Sequence, residues 1–292
     1  MKNFWDRIDG VYAINMDYRP DRWDQLVKET SGMIPEGKLR RVSGVVGVDL
    51  PGYGEAPWFT ARTGERSTKW AGVGGCTLSH RKAIESAKQD GCSYALILED
   101  DAAFHADDGA SNLLARFLEH DPGGWGLLYA GFHGMPPFGS LQDREGGYEL
   151  WKLPGVIAAH AYVVSSQSWD SLLAHLPTER TIWPWLARFR AIDNYYRDHL
   201  SHDTGLSVYG LAPSWIYQRP SWSDLGQEQV DYTCLCHAGE KPRSIRSLGG
   251  LLCRMTAPLH RMKIELNSFR TLRRARQHGF PGNRKSKDAP ED

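Results

Sequence analysis

The stretch Tyr94-Ala95-Leu96-Ile97-Leu98-Glu99-Asp100-Asp101 decides the fold class, because an apolar run feeds directly into three carboxylates. A short run of this kind, with Gly91 before it and acids after it, reads as a strand covered on both faces. Working outward, residues 11–16 form a second near-continuous apolar run. Arg19-Pro20-Asp21-Arg22 then opens a helix, with proline in the first turn, where a missing N–H costs nothing. Residues 39–46, 125–130 and 156–165 read as further strands, and 206–217 as one or two strands broken at Pro213. Residues 78–88, 167–175 and 192–200 have helical spacing. Strands alternating with helices predict an α/β sheet with crossover connections. Residues 47–75, rich in Gly, Pro, Trp and Arg without periodicity, are expected to form a long functional loop.

Composition narrows the class further. A chain of 292 residues, 41% hydrophobic and 24% charged, is neither collagen-like nor wholly disordered. At this length about three-quarters of the unfolded surface is buried on folding, so no metal or disulfide staple is required. No apolar run approaches the roughly 18 residues of a spanning helix. The opening MKNFWDRIDG lacks the apolar core of a secretory signal. Cys76, Cys92, Cys234, Cys236 and Cys253 are few and odd in number, which suits reduced thiols. A cytoplasmic protein is the expectation.

The zero net charge hides an asymmetry. Residues 241–287 hold 13 of the 35 basic residues and one acid, Glu265, leaving 22 basic and 34 acidic residues elsewhere. An acidic body with a basic tail points to an anionic contact, phospholipid or nucleic acid, unless the tail is a solvated helix without a partner. Within the tail, residues 259–277 put Leu259, Met262, Leu266, Phe269 and Leu272 on one face, with arginines opposite. That pattern is a basic amphipathic helix, suited to an anionic membrane interface or to packing on the body. Residues 281–292 have the composition of a disordered tail. The expected organisation is a domain over 8–240, a basic helical extension over 241–280 and the tail.

The chemistry is expected at the carboxylates. Ligands of open α/β sheets bind beyond the carboxyl ends of strands. Side chains two apart on an extended chain share a side, which brings Glu99 and Asp101 together. Their mutual repulsion suits a hard divalent cation, Mn²⁺ or Mg²⁺, which bridges phosphate oxygens in turn. The bland alternative is an exposed turn with three solvated acids. Ser79 and His80 read as the start of a helix, where free N–H groups favour an anion, with a capping or buried histidine as the alternative. Cys234-x-Cys236-His237 lacks a second ligand pair at finger spacing, so no zinc site is expected there. Gly72-Val73-Gly74-Gly75 has no Walker lysine, and Trp183, Trp185 and Trp215 suit either sugar stacking or core packing.

Six motifs in order across residues 11–225 resemble glycosyltransferase family 25, which holds lipopolysaccharide and collagen galactosyltransferases. The family's I-N-L strand and R-x-x-R turn are matched by Ile14-Asn15-Met16 with Arg19 and Arg22, with Met in place of Leu. G-C-x-x-S-H stands intact from Gly75 to His80, and I-L-E-D-D from Ile97 to Asp101. A-Y-x-[IVL]-S is matched from Ala161 to Ser165, and I-D by Ile192-Asp193. P-x-x-x-x-Q followed by S-D-[IL] is matched by Pro213 to Gln218 and Ser223-Asp224-Leu225. The resemblance implies a GT-A nucleotide-sugar fold with a mixed, mostly parallel sheet, a UDP-hexose donor and Mn²⁺-assisted transfer, mostly inverting.

By the same resemblance Asp101 holds the ion, with Glu99 or Asp100 on the ion or the ribose. Asn15, Arg19, Arg22, Ser79 and His80 lie around the donor nucleotide, although Arg19 and Arg22 also suit pairing with Asp17, Asp21 or Asp24. Asp193 is the expected base, with a helix cap as its alternative and Asp224 as a second candidate. The implied acceptor is lipopolysaccharide or another cell-envelope glycan, and the basic amphipathic helix would place the protein on the inner membrane face. Two rivals remain: a glycosyltransferase acting on nucleic acid or protein, and a non-catalytic binding protein of the same fold.

Overall fold

The apolar runs pair edge to edge because each is too apolar to face water on either side. The computed structural model describes residues 3–60, 67–106, 108–134, 136, 138–223, 228–233, 242–244 and 247–281. The first half of the chain runs α1 (Phe4–Arg7), β1 (Gly10–Asn15), α2 (Pro20–Thr30), β2 (Leu39–Ser43), α3 (Ser67–Gln89), β3 (Tyr94–Glu99), β4 (Ala102–Phe104), α4 (Asp108–His120) and β5 (Trp125–His133). A hairpin follows, β6 (Phe138–Glu145) and β7 (Tyr148–Leu153), then β8 (Ile157–Ser165), α5 (Trp169–His175), α6 (Ile182–Phe189), α7 (Ile192–Asp198) and α8 (Leu200–Thr204). The last part holds β9 (Ser207–Ala212), β10 (Ile216–Gln218), β11 (Ser221–Ser223), β12 (Glu228–Val230), β13 (Arg243–Ser244) and α9 (Leu248–His278).

Nine strands form one sheet in the order β13-β6-β7-β9-β5-β8-β3-β1-β2. Strands β3, β1 and β2 are mutually parallel, as are β5 with β9 and β13 with β6, while β8 runs antiparallel between β3 and β5. The chain is thus a mixed α/β protein. Alternation along the strands feeds two cores. Tyr12, Ile97, Tyr129 and Tyr162 point to one face, where α3, α5, α6 and α7 pack. Val11, Ala13, Leu96, Leu98 and Val163 point to the other, where α1, α2 and α4 pack.

Two expectations need correction. Residues 67–75 are not loop but the first turns of α3. Gly74 and Gly75 read as breakers, yet a Cβ on Gly75 would stand 2.2 Å from the Val45 carbonyl oxygen, and one on Gly74 3.2 Å from Trp183. Glycine is there because the helix presses on its neighbours, at a helical cost of about 1 kcal/mol each. The consequence is that Ser79 and His80 lie inside α3, not at its start, so no free helix N-terminus lies beside them.

The second correction concerns the tail. The stripe read from sequence faces water: Leu259, Met262, Leu266 and Phe269 are 48–64% exposed. The opposite side of α9 packs on the body through Arg261, Ser268, Leu272 and Ala275, and α6 is its main partner. Leu272 and Arg261 therefore leave the groups assigned to them. Arg261 is spent on Asp203 and Glu265. The core also crosses the boundaries at 8 and 240, since Phe4 is fully buried and Phe280 stacks on Trp70 at 4.4 Å and meets Phe59 and Trp183. Asp224, Leu225, Cys234, Cys236, His237 and residues 282–292 lie outside the described residues.

If the end of α9 is built into the core, Phe280→Ala costs about 3–5 kcal/mol of stability, the range for a buried aromatic. Urea unfolding measures it; an unchanged midpoint would show that the aromatic dock contributes nothing.

Candidate functional site

Parallel pairing of β1 with β3 brings two strand ends to one edge, because Ile14 is in register with Glu99. Asn15 at the end of β1 therefore meets Asp100, donating from Nδ2 to its carboxylate at 2.7 Å. Asn15 is itself fixed by Arg41, whose Nε donates to its Oδ1 at 2.9 Å. The first helical turn after β1 supplies Arg22, whose guanidinium lies 2.5 Å from Asp100 and 3.0 Å from Asp101. Asp100 and Asp101 are each 7% exposed, which excludes the solvated acidic turn.

Glu99 and Asp101 share a side, as their spacing requires. Gln218 at the end of β10 donates from one Nε2 to both, at 3.1 and 3.4 Å. Ser221 adds a 3.4 Å contact to Asp101. Arg219 grips the same turn from behind, donating to the Asp100 carbonyl at 2.7 Å and, through its backbone N–H, to the Asp101 carbonyl at 2.9 Å.

His80 reaches the site from the middle of α3. Its Nε2 lies 3.3 Å from Glu99 Oε1 and its Nδ1 3.0 Å from the Tyr162 hydroxyl. A carboxylate only accepts, so Nε2 carries the proton and Nδ1 accepts from Tyr162. The other expected residues divide. Ser79 is structural, donating to the Gly75 carbonyl at 2.7 Å and accepting from Val45 N–H at 2.8 Å. Arg19 forms a forked pair with Asp21 at 2.9 and 3.0 Å. Asp193, in the first turn of α7, accepts the Asn194 N–H at 2.7 Å and lies in electrostatic range of Glu99.

Arg41, Arg219 and Ser221 carried no role in the sequence reading, and neither did two further residues, Gln218 and His160. Gln218 ended a motif without one. His160 is the polar residue in the middle of the apolar strand β8, and continuing the Leu98–Ala161 register by one residue sets it opposite Glu99. Its Nε2 donates to the Ile216 carbonyl at 3.0 Å, while its Nδ1 is buried without a hydrogen-bond partner among the described residues. Glycine at 131 permits that contact, since a Cβ there would stand 1.8 Å from the Ile216 carbonyl oxygen. A buried histidine interrupting an apolar strand is the signal that could have found it.

The electrostatics follow from burial. Asp100 is pushed up to about 6 by desolvation, which Arg22 and Asn15 only partly offset. Asp101 is raised by desolvation and then by Glu99. Glu99 is raised by burial, but the hydrogen bond from His80, with the Arg22 guanidinium nearby, wins and leaves it lowered. Burial also raises Asp193 and keeps the Cys76 thiol protonated.

Carboxylate oxygens are the donors a hard dication takes. Asp101, buried, and Glu99, partly buried, repel each other, and His160, neutral because burial lowers its pKa, lies in electrostatic range of both, although the ligand atoms of these three do not converge as one set. Among the described residues, possible ligand atoms do converge at Cys76, His80 and Glu99, but the protonated thiol is a poor ligand. The other such grouping, His199 with Asp203 and Glu265, already holds the guanidinium of Arg261.

No protein-family model matches this chain, and no curated protein matches it in sequence. Among solved structures it is similar to the crystal structure of mannose-1-phosphate geranyltransferase from Thermus thermophilus, at 12% identity and a TM-score of 0.27, over 82% of this chain and 73% of that one. A likeness this faint carries no argument about fold or reaction.

Asn15 donates to the charged form of Asp100 and so holds its pKa down. Asn15→Leu should therefore move Asp100 above about 6, read by carboxyl-carbon NMR titration. A pKa that stays or falls would remove Asn15 from the electrostatic design.

Proposed function

We propose that this chain is a GT-A-type glycosyltransferase, resembling family 25, that moves galactose or glucose from a UDP-sugar to a glycan acceptor of the cell envelope, such as lipopolysaccharide. The observation that carries the reading is the acidic triplet at the carboxyl end of β3, with Asp100 and Asp101 buried and Glu99 partly so, braced by Asn15, Arg22 and Gln218. Buried charge of this kind is costly to the fold and is expected where a ligand repays it.

In this reading Glu99 and Asp101, with His160 beside them, hold Mn²⁺ or Mg²⁺. The bound ion supplies positive charge to the departing diphosphate. Arg22 lies against the same carboxylates and offers its guanidinium to a phosphate oxygen. Its buried Nε has no acceptor among the described residues, as expected of a donor group awaiting an anion. His80, fixed between Glu99 and Tyr162, orients the carboxylate. Asp193 takes the proton of the acceptor hydroxyl as that oxygen bonds to the anomeric carbon. The carbon–oxygen bond to the diphosphate breaks, and its electron pair leaves with UDP. Burial that raises Asp193 makes it a better base than an ordinary surface aspartate.

Incubation with UDP-glucose and UDP-galactose, with Mn²⁺ or with EDTA, tests the reading. UDP release should require the metal and fall by about 10²-fold or more in Asp101→Asn. Absence of release from any UDP-hexose would favour a binding protein instead.

Asp193→Asn should lower transfer by about 10²–10⁴ while leaving donor affinity unchanged. The base must be ionised, so the rate rises with pH through its pKa. Because burial raises that pKa, the acid limb of kcat should stand above the ordinary aspartate value of about 3.9 and vanish in the variant. Lost donor affinity would make Asp193 a nucleotide contact.

A further inference from the structure

Helix α9 leaves a contiguous apolar seam in water. Met255, Leu259, Met262, Leu266 and Phe269 follow a four-three spacing, which keeps them on one face. They are 48–69% exposed. Lys263, Arg270, Arg273, Arg274 and Arg276 are exposed on the same helix, and none has an ion-pair partner among the described residues. The helix's one acid, Glu265, is turned inward and consumed by Arg188, Arg261 and His199. The outward side therefore carries apolar groups and unopposed cations.

Beside the seam lies a cavity of about 420 Å³ between α6, α7 and α9, lined by Arg188, Arg190, Arg197, Arg270 and Arg274. Arg188 is paired with Glu265, and Arg197 with Asp198. Arg190, Arg270 and Arg274 have no anionic partner among the described residues. The cavity adjoins the seam, since Arg188 lies over the Phe269 ring at 5.1 Å. An apolar strip next to a cationic recess matches an amphiphile with a phosphate head.

We propose that the outward face of α9 docks on an anionic phospholipid surface, with the apolar seam in the acyl boundary and a headgroup phosphate in the arginine cavity. Charge selects this occupant. A second copy of the chain would set these cations against their own images with no free acid between them. A nucleic acid would satisfy the cations but leave the seam in water. No helix of the described residues is long and apolar enough to cross a membrane, so α9 lies on the surface. Asn194, next to Asp193, also lines the cavity, so docking would bring a membrane-borne acceptor close to that carboxylate. The docking itself does not depend on the glycosyltransferase reading.

Co-sedimentation of the full-length protein with phosphatidylcholine vesicles, with and without phosphatidylglycerol, tests the proposal. Partitioning onto the anionic vesicles should exceed that onto neutral ones by about tenfold or more, and Arg270→Glu with Arg274→Glu should remove that excess. Leu266→Asp with Phe269→Asp should weaken binding to a similar degree while thermal melting stays unchanged, because both residues are exposed. Glycerol phosphate in solution should compete weakly if at all, since it lacks the apolar part. Equal binding to neutral vesicles, no binding to either, salt-sensitive DNA binding in place of vesicle binding, or a dimer dissociated by the seam variants would each overturn it.

Discussion

Three carboxylates cannot stand together in a protein interior unless donors and positive charge meet them, and the architecture of this chain follows from how it supplies both. The parallel register of β1 and β3 sets Asn15 beside Asp100. The helix that must follow β1 carries Arg22 back to the same point. From the other side β10 returns antiparallel to β4, which brings Gln218 between Glu99 and Asp101. Even so, compensation is incomplete, and Asp100 and Asp101 retain raised pKa values. That residual cost is what a cationic ligand would relieve.

Sequence carried the strands and the acidic corner well, and for a definite reason. Strands β1, β3, β5 and β8 are largely buried on both faces, so they appear as nearly continuous apolar runs, β8 broken only by His160, with no competing helical reading. Spacing alone also placed Glu99 and Asp101 on one side. Pairings that depend on distant contacts were less legible. Gly74 and Gly75 look like breakers until Val45 and Trp183 are seen pressing against them. The hairpin β6–β7 went unread because β6 ends in the exposed polar residues Gln142, Asp143 and Arg144, which blur the alternation. Helix α6 hides behind aromatics and a proline, whose apolar character shows burial but not period.

The site shows the same division. Asp101, Asp100, Glu99, Asn15, Arg22 and His80 converge, whereas Arg19 pairs locally and Ser79 serves as a tie between α3 and the chain after β2. Local spacing cannot tell Arg19 from Arg22, since each has acids within reach in sequence. Only the position of β3 decides which guanidinium meets the triplet. His160 depends on a third element again, for its ring is fixed by the Ile216 carbonyl across Gly131. In α9, periodicity correctly described an amphipathic helix but not which side would be packed. Body contacts go to Arg261, Ser268 and Ala275, and the apolar side is left outward.

The central claim is that the buried carboxylates at the end of β3 are a cation-dependent nucleotide site. Electron paramagnetic resonance of Mn²⁺ titrated into the protein, with and without UDP, tests it most directly. Free-ion signal should be lost stoichiometrically in the wild type and more tightly with UDP present, and should persist in Asp101→Asn. An unchanged Mn²⁺ signal with and without UDP, or equal binding by Asp101→Asn, would contradict it.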